Sequence, residues 1–181
     1  MNKIKTTSNL QGASPMNKNI ANEISIRNQL QPGDLGYITY LHGTLYSLEY
    51  KYGIEFESYV AAGMHEFYSK YNPIKDRVWI CEHQHKIVGC LFLIHRDEST
   101  AQLRFFLLLP EYRGLGIGKK LMEQYVSFMK DNGYRHSYLW TTSELHEAAA
   151  LYTRFGFILT VEKESAAFGK HVVEQKYEMK L

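Results

Sequence analysis

From Leu107 to Leu121 the chain reads Leu-Leu-Leu-Pro-Glu-Tyr-Arg-Gly-Leu-Gly-Ile-Gly-Lys-Lys-Leu. An apolar strand runs into a glycine turn, and the turn opens directly into a helix. Glycines remove the Cβ atoms that would hold a ligand away from the backbone. The first helical N–H groups have no acceptor inside the helix and point at whatever lies above the turn. The helix dipole adds partial positive charge there, and Arg113, Lys119 and Lys120 add full charges. Together these parts make a pyrophosphate site. A Walker loop is excluded, because Lys120 stands where a Mg²⁺-binding hydroxyl is needed and Arg113 where the first glycine is needed. A dinucleotide fingerprint is excluded too, since the order is Gly114-x-Gly116-x-Gly118. What remains is Arg113-x-x-Gly116-x-Gly118.

Other residues are candidates for proton transfer or ligation. His42 and Glu49 stand seven residues apart, on one face of an expected helix, and either is a base or a backbone-bonding group. Arg104, on an expected central strand, binds an acceptor carboxylate or pairs with a glutamate. His83 and His85 have the spacing of a metal pair but sit in a turn with no third ligand nearby, so no metal is expected. Cys81 and Cys90 fall inside expected strands and read as buried thiols.

Positioning these residues requires an ordered set of elements. Residues 1–22 are rich in Asn, Ser, Thr, Lys and Gln and read as a disordered tail before a single domain at 23–181. A strand at 24–27 precedes helices at 35–51, capped by Asp34 and stopped by Gly53, and at 55–71, ended by Pro73. Strands at 78–81 and 87–95 form a hairpin about the turn 83–86. The strand at 101–109 is apolar on both faces at its end, which marks it as central. A helix at 116–132 carries Leu121, Met122, Tyr125, Phe128 and Met129 on one stripe. A strand at 137–140, a helix at 144–154 capped by Thr141 or Ser143, and strands at 157–163 and 172–179 complete the order β-α-α-β-β-β-α-β-α-β-β. The fold class is α/β, in the sense of one mixed sheet flanked by helices.

The 181 residues suffice for one good-sized core. Hydrophobic residues make up 45% and charged residues 22%, ordinary for a soluble globule. A net charge of +2 argues against an extended nucleic-acid footprint. No apolar run is long enough for a membrane span, and the N-terminus lacks a signal-peptide core. The expectation is a cytoplasmic protein with no nucleic-acid or membrane partner; a homodimer is left open. Tyrosine is abundant, with 14 in the chain. Many fall between Tyr37 and Tyr71, which suggests a wall apolar in body and polar at the tip.

The loop at 113–118, the block from Leu139-Trp140-Thr141 through Ala148, and the ending Leu151-Tyr152-x-x-x-Gly156-Phe157 resemble the GNAT N-acetyltransferase superfamily from about Glu23 onward. The stretch Arg104-Phe-Phe-Leu-Leu-Leu-Pro110, with His42-Gly43, Tyr46 and Glu49-Tyr50, resembles a narrower group: the acetyltransferase halves of MarR-type fusion proteins. The segment before Glu23 is too short for a winged helix.

The resemblance implies acetyl-CoA as cosubstrate, transfer of acetyl to a small-molecule or peptide amine by direct attack in a ternary complex, and splayed central strands that pair with the pantetheine arm. It places the cofactor on Leu108, Leu109, Arg113, Gly114, Leu115, Gly116, Ile117, Gly118 and Lys119, with the Leu108 amide facing the acetyl carbonyl. It sets Tyr152 beside the leaving thiolate and Glu49 in the wall of the acceptor pocket. Leu145 stands where many members carry an Asn that steadies pantetheine. The alternative reading is a non-catalytic acyl-CoA sensor or interaction module.

Overall fold

Strand β3 (Lys86–His95) is apolar at nearly every position, and eight of its ten residues are buried. A strand buried on both faces must lie inside a sheet that is covered on both sides. In the computed structural model, which describes residues 20–181, it does. The sheet has seven strands in the order β1-β2-β3-β4-β5-β7-β6. These are β1 (Ser25–Arg27), β2 (Arg77–His83), β3, β4 (Thr100–Leu108), β5 (His136–Thr142), β6 (Ile158–Ser165) and β7 (Val172–Lys180). Neighbours are antiparallel except β4 and β5, which are parallel.

Four helices cover the sheet: α1 (Asp34–Tyr50), α2 (Ile54–Ser69), α3 (Ile117–Asp131) and α4 (His146–Arg154). Alternation along β3 divides the core in two. Leu91 and Leu93 face α3 and α4, where Leu121, Met122, Tyr125 and Met129 are fully buried. Cys90, Phe92 and Ile94 face Ile38, Leu41, Phe56, Val60 and Phe67 of α1 and α2. The α3 stripe is the one the helical spacing predicts, with Phe128 at its half-buried margin.

Several local expectations are corrected. The tail lies mostly outside the described residues, but residues 20–23 form a helical turn and Ile20 packs on the core. Asp34 is not a cap. Gly33, at φ 99°, takes that place, and Asp34 is a buried first-turn residue whose carboxylate accepts from the Gln31 N–H (2.6 Å) and the Arg27 guanidinium (2.8 and 2.6 Å). Helix α1 ends at Tyr50, within a residue of expectation, but its left-handed C-cap is Lys51 rather than a glycine. Thr141 and Ser143 do not cap α4. Strand β5 runs on through Thr142, held by the pairs Thr141 with Gln175 and Thr142 with Glu174, so α4 starts later. The β2–β3 turn places Gln84 and His85 in left-handed conformations, and His83 bonds Tyr112 (2.9 Å) and Glu23 (3.1 Å).

One irregularity shapes the molecule's centre. β4 and β5 pair only at Thr100, Ala101 and Gln102, opposite His136, Ser137 and Tyr138, and part beyond that point. On its other side β4 bulges. Its register to β3 shifts between Phe92–Arg104 and Cys90–Leu107, so Phe105 and Phe106 together oppose Leu91. Phe105 sits at φ 52°, where a bulky residue is strained. The Cys90 thiol donates to the Phe105 carbonyl at 3.0 Å, supplying a partner to a group that the broken ladder leaves free.

Candidate active site

The parting of β4 and β5 opens two cavities that meet. The larger, about 600 Å³, runs from the glycine loop past Glu49, Tyr50 and Leu108 to the start of α4. The smaller, about 110 Å³, lies between α1, α2 and the sheet, walled by His42, Tyr52, Phe56, Tyr59, Arg104 and Phe168. Tyr46, Phe106, Leu145 and Tyr152 line both, so these four residues stand at the junction.

The loop follows from its sequence. After β4, Pro110–Tyr112 makes a 3-10 turn that reverses the chain, and Gly114 (φ 72°) and Gly116 (φ 82°) take left-handed conformations. Both positions require glycine for that reason. A Cβ built on either would meet nothing within 4 Å, so the backbone faces open space. Gly116 is the N-cap residue of α3, and the first N–H groups of the helix are directed out beside it. A cradle of this shape and polarity fits the pyrophosphate of a CoA thioester.

The expected cofactor set divides in two. Leu108, Arg113, Gly114, Gly116, Gly118 and Lys119 line the large cleft. Leu109, Leu115 and Ile117 do not: Ile117 is buried, and Leu109 and Leu115 are partly buried against the core. Arg113 is not a free cation. Its Nη1 and Nη2 donate to both oxygens of Glu49 at 2.9 and 3.0 Å, and its Nε donates to the Leu108 carbonyl at 3.1 Å. Of the two roles open to Glu49, base or bonding group, the contact seen is the second: both carboxylate oxygens are held by a guanidinium. The pair ties α1 to the loop.

Tyr152 is buried among Phe106, Phe157 and Tyr177, with ring centroids 6.1 to 6.3 Å away. Burial pushes its phenol pKa well above the ordinary value of 10, so the group stays protonated at neutral pH. A second phenol faces it, which the sequence reading did not assign to the site. Tyr46 is also pushed up, first by burial and then by the nearby Tyr152. The signal was present: His42, Tyr46, Glu49 and Tyr50 recur at spacings of four, three and one on one face of α1. His42 is buried, and its Nδ1 lies 2.8 Å from the Ile38 carbonyl. Facing a carbonyl, Nδ1 carries the proton, which leaves Nε2 unprotonated, and His42 lines the small cavity. Burial lowers the His42 pKa to about 4.

Sequence reasoning missed the wall formed by the β6–β7 loop. Phe168 packs on Tyr52, Phe56 and Tyr59, with centroids 5.1 to 5.4 Å away. Its carbonyl accepts from the Gly53 N–H at 2.8 Å, and Gly53 and Gly169 let the two backbones cross closely. Tyr52 also bonds Thr142 at 2.6 Å across the sheet. These contacts join residues more than 80 positions apart.

A mixed sheet with parted parallel strands, a glycine turn at the start of α3 and a protonated phenol at the strand gap frame the candidate site. The sequence profile of the acetyltransferase (GNAT) family matches residues 44–157. The chain belongs to that family. It is 32% identical over 95 residues to the uncharacterized N-acetyltransferase YjgM of Escherichia coli (strain K12), a match covering 51% of this chain and 57% of that protein. Among solved structures, it is similar to an acetyltransferase from Streptococcus agalactiae (TM-score 0.72, 21% identity, 88% of this chain and 99% of that one). It is also similar to a GNAT family acetyltransferase from Elizabethkingia anophelis with acetyl-CoA bound (TM-score 0.61, 15% identity, 88% and 99%).

Proposed function

We propose that the protein is an acetyl-CoA-dependent N-acetyltransferase acting on a primary amine by direct attack in a ternary complex. The observation that carries this reading is the meeting of two cavities at Tyr46, Phe106, Leu145 and Tyr152. One holds a phosphate cradle and the other an amine-sized space, so thioester and amine can face each other across the strand gap. Acetyl-CoA supplies an activated acyl carbon with a thiolate leaving group. The α3 N–H groups and the Gly114–Gly116 backbone hold the pyrophosphate. The parted edge of β4 offers backbone groups to the pantetheine, with the Leu108 amide as an oxyanion donor. Glu49 holds Arg113 in place and does not take the proton. His42 offers Nε2 as an acceptor that orients the amine. Tyr152 protonates the departing thiolate and recovers its proton from the attacking amine as the amide forms, and a phenol kept neutral by burial suits that task.

The chain's likeness to the acetyltransferase halves of MarR-type fusions favours the second reading, a non-catalytic acyl-CoA sensor. Calorimetry with acetyl-CoA, and thiol release over a panel of amines, separates the two. Acetyl-CoA should bind, and NAD and ATP only weakly. Gly116→Asp should abolish binding, since it adds a side chain at positive φ and a negative charge beside the pyrophosphate. Unchanged affinity in that variant removes the loop from the site. Tight binding with no thiol release on any amine supports the sensor.

A further inference from the structure

The small cavity contains a charge that the acetyl transfer above does not use. Arg104 lies on β4 just before the bulge and lines both the small cavity and an adjoining one shared with Glu66 and Arg96. The guanidinium lies 5.0 Å from the ring centroid of Phe105 and 5.5 Å from that of Tyr59. It rests over Gly63 of α2, where a Cβ would come within 2.6 Å of Nη2 and 3.0 Å of Cζ. Two aromatic rings and a missing side chain thus build a seat for it. Its side chain is only 15% exposed.

This cation is poorly neutralised. Among the described residues its one carboxylate partner is Glu66, at a long 3.4 Å, and Glu66 is shared with Arg96 at 3.2 Å. Around the adjoining cavity two carboxylates, Glu66 and Asp76, stand against three cations, Arg96, Arg104 and Lys70, an excess of one positive charge. Arg96 spends two further N–H groups on Gln102, whereas Arg104 makes no other hydrogen bond among the described residues. The other charges at the cavity do not offset it. Glu174 pairs with Lys163 at 3.3 Å, and His42 is neutral. A buried fork of N–H donors with free positions suits a planar anion. Elsewhere in the lining of the same small cavity, the Thr141 hydroxyl is buried without a partner among the described residues.

The geometry points to an acceptor that is an amino acid: its carboxylate on Arg104, its apolar side chain among Tyr52, Phe56, Tyr59 and Phe168, and its amine toward Phe106 and Tyr152. This rests on the acetyltransferase reading and names its substrate class. Arg104, Phe106 and Tyr152 line the same small cavity. Amine and carboxylate in an α-amino acid are separated by one carbon. A group that fixes the carboxylate therefore fixes the nucleophile as well. The aromatic walls alone would also suit a polyamine, but the uncompensated guanidinium repels one.

The test uses the full chain with saturating acetyl-CoA and thiol release as readout. The acceptors are L-leucine, L-methionine and L-phenylalanine, their amides, and spermidine. Each amide keeps the shape and loses the negative charge. The acids should exceed their amides in kcat/KM by at least about tenfold, and spermidine should be slower still. Arg104→Gln should bring the acid-to-amide ratio to about one. Gly63→Ala keeps the guanidinium and displaces it, so KM for the acids should rise while kcat changes less. Melting curves accompany both variants. Amides or spermidine used as fast as the acids, or an unchanged ratio in a folded Arg104→Gln, overturns the proposal. If no acceptor releases thiol, the acetyltransferase reading fails separately, and calorimetry on the CoA-loaded protein decides the Arg104 site. L-phenylalanine binding tighter than L-phenylalaninamide, and losing that margin in Arg104→Gln, supports the site; equal or absent binding overturns it.

Discussion

Tyr152 was legible as a residue from the frame Leu151-Tyr152-x-x-x-Gly156-Phe157, but its chemical state was not. Burial by Phe106, Phe157 and Tyr177 keeps its phenol protonated, and no local pattern encodes that environment. Tyr152→Phe retains the ring and removes only the hydroxyl. Turnover should fall roughly 10–1,000-fold, with acetyl-CoA affinity and melting temperature near those of the unmodified protein. Steady-state kinetics beside a melting curve measures this, and a full-rate Phe variant would assign the ring to packing alone. His42 gives a second expectation. Its folded pKa, about 4, is below its unfolded value near 6.5, so the unfolded chain binds more protons between those limits. The stability this neutral imidazole contributes is complete above pH 6.5 and is lost as pH falls toward 4, by about 3 kcal/mol. In His42→Leu the Ile38 carbonyl keeps its helical partner. Denaturant midpoints measured from pH 7.5 to 4.5 should therefore fall less steeply in that variant, and parallel pH profiles would contradict the burial of His42.

At the scale of elements, periodicity carried most of the order. Alternation, the α3 stripe and the glycine punctuation set eleven elements within a few residues of where they lie, because each is a local consequence of side-chain spacing. The glycine loop was legible for the same reason: Gly114 and Gly116 answer a local backbone demand. The β4 bulge was not. Arg104-Phe105-Phe106 contains no glycine, and its strain at Phe105 is compensated from elsewhere, by the Cys90 thiol and by the rings packed around it. Caps failed where pairing competed. Thr141 is a good N-cap residue, but β7 holds it in a ladder, and tertiary pairing outweighs a cap contribution of about 1 kcal/mol. The bulge then determines the site's layout, placing both Arg104 and Phe105 against Gly63 on the α2 side while Phe106 turns to Tyr152.

At the scale of the whole molecule, the small cavity is closed by parts that no window of sequence contains together. The β6–β7 loop reaches back to the α1–α2 junction, and Lys170 fixes it there by donating to the Tyr50 carbonyl (3.0 Å) and to Glu144 (2.6 Å). Nothing in the apolar content of Phe168 distinguished it from an ordinary loop aromatic. Its role appears only once the loop lies on Tyr52, Phe56 and Tyr59. Phe168→Ala removes the ring and leaves the carbonyl that accepts from Gly53. The loop should stay docked while the cavity loses a wall. Stability should fall by about 3 kcal/mol, the lower range for truncating a buried aromatic, because one side of this ring borders an existing cavity. The acceptor KM should rise, and acetyl-CoA affinity should hold, because Phe168 lines the small cavity and not the cleft beside the glycine loop. Chemical denaturation, calorimetry and acceptor kinetics on one preparation measure the three. A fall in acetyl-CoA affinity as large as the rise in acceptor KM would mean that the two cavities act as one site, and would remove the division of labour between the two sides of the strand gap.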